Sequence, residues 1–358
     1  MPPLDLTAAA VMLAALVGYA VLGGADFGAG VWDLLARGPR AARQREVIEQ
    51  AIAPIWEANH VWLILVVVVL FTAFPPAFGA IMTALHIPVT IMLVGIVLRG
   101  ASFVFRAYDS REDHVQQRWG RVFAISSTIT PIMLGTIIAG ISSGDIELED
   151  GYVMSGWFNS WLGVFPLAVG GFTLVLFAYV AAIFLTVETF DEPDLQEDFR
   201  RRGLLAAIAL GAFALLVALL AGDHAPQIRE ELFRSWWSWP LQIATGVAAI
   251  GALAGLYLRH FFLARTLAVA QVALILVGWG ASMSPYLVVD DVRYDDAAAP
   301  DITLKLMLGA LAVGSLILFP SLYYLYRIFK GRQAFALIDL PGIDDAGPGG
   351  ADEPPTRT

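Results

Sequence analysis

Nine stretches of this chain are apolar and long enough to cross a lipid bilayer, and that leaves few folds open to it. Crossing the hydrocarbon takes about 20 mostly apolar residues in helical form. No water is available there to satisfy stray backbone N–H and C=O groups, so only helices and closed barrels can span. Runs of this length specify helices. They are Thr7–Leu34, Ala51–Phe74, Ala77–Leu98, Val122–Ile141, Trp161–Val187, Gly203–Ala221, Trp239–Leu258, Phe261–Ser284 and Thr303–Tyr326. The expected fold class is therefore an all-α membrane protein with nine transmembrane helices. Residues 1–338 form its membrane domain, and a Gly-, Pro- and acid-rich disordered tail occupies 339–358. The loop lengths allow two four-helix bundles plus one helix. Between the second and third runs, Phe74-Pro75-Pro76 predicts a tight reversal. The first run is too long for a cleaved signal peptide, and nothing basic precedes it.

Composition agrees with this reading. Of 358 residues, 58% are hydrophobic and 15% charged, with a mean hydropathy of +0.69. Soluble domains run at about 45–50% apolar and about 25% charged. The absence of cysteine removes disulfides, thiolate catalysis and cysteine-ligated metals. A net charge of −10 argues against a nucleic-acid partner, which needs a basic face. Under the nine-span reading, 18 of the 22 Lys and Arg residues fall after odd-numbered spans, including Arg37, Arg40, Arg43, Arg99, Arg106, Arg111, Arg200 and Arg357. The even side carries acidic loops at Asp145–Asp150 and Asp290–Asp296. The positive-inside rule then places the amino terminus outside and the carboxyl terminus in the cytoplasm.

Ionisable groups inside spans cost about 2.5–3.5 kcal/mol each at the helix centre, so they are candidates for function. This chain offers Asp26 in the first span, Glu57 and His60 in the second and His86 in the third. At 1.5 Å per residue, Asp26 lies about 12 Å and Glu57 about 9 Å from the cytoplasmic ends of their spans. His60 follows Glu57 by three residues and shares its face. With these faces inward, Glu57, His60 and Asp26 make a short ladder suited to passing protons. The competing reading is buried hydrogen-bond glue between helices. It weighs most at Asp26, which sits in a small-residue stretch where Gly24 and Gly28 form a GxxxG spacing for close helix packing. His86, beside Pro88, reads as a satisfied bundle histidine, and Trp157, Trp161, Trp236, Trp237 and Trp239 read as interface anchors.

Two motifs carry a resemblance. The run Gly18-Tyr19-Ala20-Val21-Leu22-Gly23-Gly24-Ala25-Asp26-Phe27-Gly28-Ala29-Gly30 is followed by Ala53-Pro54-Ile55-Trp56-Glu57-Ala58-Asn59-His60-Val61-Trp62-Leu63. Together with Arg99-Gly100, Phe103 and Arg106, they resemble subunit II of the cytochrome bd-type quinol oxidases, and the nine-span layout fits along the whole membrane portion. The resemblance implies a bacterial inner-membrane subunit of a complex that oxidises quinol and reduces dioxygen to water. It implies a heterodimer with a haem-bearing subunit I, which would hold haems b and d. This chain would bind no cofactor of its own beyond a structural quinone found in some members, and small accessory subunits are left open. By motif position, Glu57 matches the acid that admits protons, Asp26 the acid of the first helix, and Trp62 the tryptophan lining an oxygen passage. The chain departs from the pattern at Gly23 and Val104, where members often carry acids, and at His60, a position taken by Gln in some members. A different class, a proton-coupled secondary transporter using Asp26, Glu57 and His60, is the alternative. It calls for inverted repeats and broken helices, and no second-half counterpart of the Gly23–Gly30 stretch is evident.

Overall fold

The computed structural model describes residues 3–53, 55–108 and 113–334, with the side chains of 106–117 and 329–334 outside that description. Continuous apolar sequence produces long helices here because each backbone group finds its partner four residues away. Among the described residues the helices run α1 (Leu4–Leu34), α2 (Ala41–Ile52), α3 (Trp56–Ala73), α4 (Pro75–Ala84), α5 (His86–Tyr108), α6 (Asp113–Ser142), α7 (Val164–Glu188), α8 (Pro193–His224), α9 (Pro226–Arg234), α10 (Ser238–Tyr257), α11 (Phe261–Met283) and α12 (Asp301–Ala334). Among the described residues, nine are long and apolar enough to cross a membrane: α1, α3, α5, α6, α7, α8, α10, α11 and α12.

The third span differs from expectation. Residues 77–98 do not form one helix: Pro75 and Pro76 open the short α4, and the spanning helix begins anew at His86. Proline is tolerated in a first turn, where its missing N–H would have no intrahelical partner. Pro88 occupies the same kind of place in α5. Because α5 continues to Tyr108, Arg99 lies inside a helix rather than in a loop. It is 2% exposed. Two further elements lie outside the nine predicted runs. The amphipathic α2 buries Val47, Ile48 and Ile52, and α9 is a single short segment. Of the expected interface tryptophans, Trp161 is instead buried, and its indole donates to the Trp157 carbonyl at 2.8 Å. The expected disordered tail, 339–358, lies outside the described residues, as do Pro54 of the second motif and Arg111 and Arg357 of the charge count.

Helices α1, α6 and α7 form the centre, each packed against the other two. Around them, α3 packs on α1, α5 on α6, α8 on α7 and α10 on α11. The close approach of α1 to α7 depends on missing side chains. A Cβ at Gly24 would stand 2.7 Å from Phe177 Cδ1, and one at Gly28 would collide with the Phe177 carbonyl. The α6–α7 crossing is made the same way at Gly135 and Gly170. Helix α12 rests mainly on α1 and α3 and turns most of its surface outward.

The ends of the bundle differ. One carries arginines paired across loops: Arg40 donates to Asp198, Arg43 to Glu192, and Arg202 to Gln44, tying α2 to the α7–α8 turn. Salt bridging to Arg43 holds the Glu192 carboxyl below its usual range, mainly through the hydrogen bond between them. At the other end the two acidic loops fold as hairpins, Leu148–Glu149 with Tyr152–Val153 and Tyr286–Val288 with Val292–Arg293. Asp150 and Gly151 both take positive φ, as a two-residue turn of the twist-matched kind requires. The hairpin regions are joined, Val289 N–H donating to Ile141 and Leu148 N–H to the Asp291 carboxylate.

Candidate functional site

The site is built where α1, α3 and α5 meet near the arginine-rich end. Small residues on α1 let its neighbours close in, so Asp26 ends 5% exposed. A buried carboxyl needs hydrogen-bond donors, and the sequence supplies one on α3. Asn59, 1% exposed, donates from Nδ2 to Asp26 Oδ2 at 2.5 Å and makes a longer contact to the Leu22 carbonyl at 3.4 Å. Its other amide atom, Oδ1, accepts from the Tyr326 hydroxyl of α12 at 2.7 Å. Three helices are thus linked through one amide.

Arg99 enters from α5. Its guanidinium lies 4.8 Å from the Phe27 ring centroid and 5.3 Å from that of Phe123. This arrangement suits a weakly hydrated planar cation removed from water. Asp26 and Tyr19 both stand within its electrostatic reach. Beside it, the His60 ring is framed by Tyr19 and Phe27, each 6.0 Å away, and by Trp56 at 6.1 Å. Several buried polar atoms in this neighbourhood have no hydrogen-bond partner among the described residues: Tyr19 Oη, His60 Nδ1, Arg99 Nε and Nη2, and Ser127 Oγ. Ser127 belongs to α6 and sits against Gly30, where any side chain would overlap it.

The predicted site residues are divided by this geometry. Asp26 and His60 turn inward and share the pocket. Glu57 is exposed on the first turn of α3. At about 100° per residue, Glu57 lies about 160° around the helix from Asn59, so the residue that meets Asp26 is the amide and not the second acid. His86 is exposed at the opposite end of the membrane helices, with Nδ1 2.9 Å from the Thr83 carbonyl and its ring against Trp157, rather than near mid-span. Trp62 lies flat over Gly18, whose Cβ would stand 2.9 Å from Cδ2, and faces Phe319 at 6.3 Å. A side chain at Gly23 would meet the Tyr19 ring, and Val104 is exposed. Sequence reasoning missed Arg99 and Tyr326 as parts of the site. Arg99 had a local signal, since apolar sequence continues through Phe105, but Tyr326 had none. Among the described residues, no three His, Cys, Asp or Glu side chains gather as metal ligands.

Fold and site together define a multi-pass membrane protein whose helices enclose an ionisable pocket beside a small-residue crossing. The model of the family "Cytochrome bd terminal oxidase subunit II" matches residues 4–329, and the chain belongs to that family. It is thus a multi-pass bacterial membrane protein and a subunit of an oxygen-reducing respiratory oxidase. Cytochrome bd ubiquinol oxidase subunit 2 of Bacillus subtilis is 26% identical over 331 residues, covering 88% of this chain and 93% of the relative. Cytochrome bd-I ubiquinol oxidase subunit 2 of Escherichia coli K12 is 26% identical over 203 residues, 56% of this chain and 52% of the relative. The structure of bd oxidase from Geobacillus thermodenitrificans aligns with a TM-score of 0.73 at 22% identity, covering 91% of this chain and 98% of its counterpart.

Proposed function

We propose that this chain is the haem-free partner of a haem-bearing subunit I in a quinol:dioxygen oxidoreductase, and that it delivers protons from the cytoplasm toward that partner. The orientation follows from charge. The arginines collect at the end where Glu57 and Asp26 lie, and the positive-inside rule supports a cytoplasmic place for that end with the amino terminus outside. The helix contacts support a grouping of α1, α3, α5 and α6 against α7, α8, α10 and α11, with α12 as the additional helix.

The observation that carries the proton route is the set of buried polar atoms lacking protein partners between His60 and Asp26. Such atoms are costly unless water or another polar group meets them, and a hydrated polar pocket is what proton movement needs. Glu57 is the surface acid that collects protons. His60, one turn deeper on α3, receives them with a ring nitrogen that can both accept and donate. Tyr19, Arg99 and Asp26 then form the inner pocket, with the Arg99 charge balancing a carboxylate at Asp26. Exposure of Glu57 on the isolated chain suits a position on the seam with subunit I.

Trp62, seated on Gly18 and facing Phe319, keeps the aromatic position that the motif assigns to an oxygen passage. The haem-free reading follows the family resemblance, in which subunit I carries the haems; His60 and His86, at opposite ends of the membrane helices, do not form a bis-histidine pair.

The test is Glu57→Gln in the complete oxidase. The amide keeps hydrogen bonds but carries no proton, so oxygen consumption falls several-fold while the haem absorbance of the complex is retained. Turnover equal to the natural enzyme across pH removes Glu57 from the route.

A further inference from the structure

A second file of polar groups approaches Asp26 from the side of α12. Glu188, at the end of α7, and Tyr326 both stand within electrostatic reach of Arg265 on α11. The Tyr326 hydroxyl reaches Asn59 Oδ1 at 2.7 Å, and Asn59 Nδ2 reaches Asp26 at 2.5 Å. Hydrogen bonding is therefore unbroken from Tyr326 to the carboxylate. A phenol can take and pass a proton, since its oxygen both donates and accepts. A carboxamide cannot, because its nitrogen only donates and its oxygen only accepts, and relaying would require an imidic acid tautomer.

The orientation of this amide is fixed by its surroundings. Nδ2 faces two acceptors, Asp26 Oδ2 and the Leu22 carbonyl at 3.4 Å. A flipped amide would set Oδ1 against the acceptor oxygen of each of those contacts. At 1% exposure, Asn59 is shielded from bulk solvent, and both ends of its amide are taken up by protein partners. We infer that Asn59 is a proton stop: it seals Asp26 from the Glu188, Arg265 and Tyr326 side, so that Asp26 exchanges protons only through the His60 and Tyr19 side of the pocket. The function assigned here is positioning and exclusion, and it deepens the proton route proposed above, on which it rests.

Two measurements on the complete oxidase test it, with haem absorbance as the check on assembly. Glu188→Gln, which removes the acid at the far end of the sealed side and does not touch Asn59, retains turnover and its solvent deuterium isotope effect. A slowed, assembled Glu188→Gln enzyme overturns the stop, since protons would then be using that side. In the second measurement, Glu57→Gln is combined with Asn59→Asp, Asn59→Ser or Asn59→Leu. Asp and Ser open the file, so these double variants recover most of the rate that Glu57→Gln removed, and adding Tyr326→Phe abolishes the recovery. Leu stays closed and recovers nothing. Assembled Asp and Ser doubles as slow as Glu57→Gln alone overturn the inference. If Glu57→Gln is itself as fast as the natural enzyme, the Glu57 route falls, and Glu188→Gln alone then decides the stop.

Discussion

Arg99 and Asp26 show how a chain places opposite charges where lipid surrounds it. Each is more than nine-tenths buried, and each lies within the other's electrostatic reach. Taking away one partner leaves the other's charge uncompensated, which is far worse than replacing both. Arg99→Met should therefore cost on the order of 3–5 kcal/mol. The Arg99→Met, Asp26→Asn double variant should cost less than Arg99→Met alone, read as yield and Tm of the purified complex. Asp26 and His60 were legible in the sequence because an ionisable residue in an apolar run needs explaining. Glu57 was legible as a residue of interest but not in its direction, since its neighbour Asn59 took the inward position. Arg99 was obscured by being counted among loop arginines. Tyr326 was out of reach, because its role comes from α12 packing on α3 some 267 residues away from Asn59.

At the scale of elements, the α1–α7 crossing makes a graded prediction. At Gly28 the obstacle to a methyl group is the Phe177 backbone, which cannot move without displacing α7, whereas at Gly24 it is the Phe177 ring, which can rotate. Overpacking of this kind costs about 1–3 kcal/mol or more. Gly28→Ala should therefore sharply reduce the assembled complex, and Gly24→Ala should lower Tm by a few degrees at most, as followed by thermal melting of the detergent-solubilised oxidase. The spanning helices were readable as apolar runs because lipid imposes length and composition on each one separately. The α4–α5 break was not, because His86 in Ala84-Leu85-His86 reads as one isolated polar group inside a continuing apolar run rather than as a helix start. The usable clue was Pro88, which belongs in a first turn. The hairpins over the acidic loops were also hidden, though Asp150-Gly151 is a sound turn pair.

For the molecule as a whole, the arginine-rich end predicts a pH signature. The Glu192 carboxyl is held below its usual range, first by its hydrogen bond from Arg43. A lowered carboxyl contributes stability above its unfolded value, and that contribution is lost as pH falls through the folded one. Glu192→Gln should therefore melt slightly lower than the natural complex at pH 7. The gap should close in acid and shrink in high salt, since both partners are substantially exposed. A gap that widened on acidification would contradict the pairing. The opposite end has a mechanical consequence. Ile141, closing α6, is bonded to Val289 beyond α11, and Ala73, closing α3, is bonded to Ala299 ahead of α12. A carrier must swing one half of its fold past the other to face each compartment in turn. Here the Ile141–Val289 bond ties the rim from one half to the other, which under the proposed function suits a frame that holds still while the chemistry proceeds elsewhere in the complex.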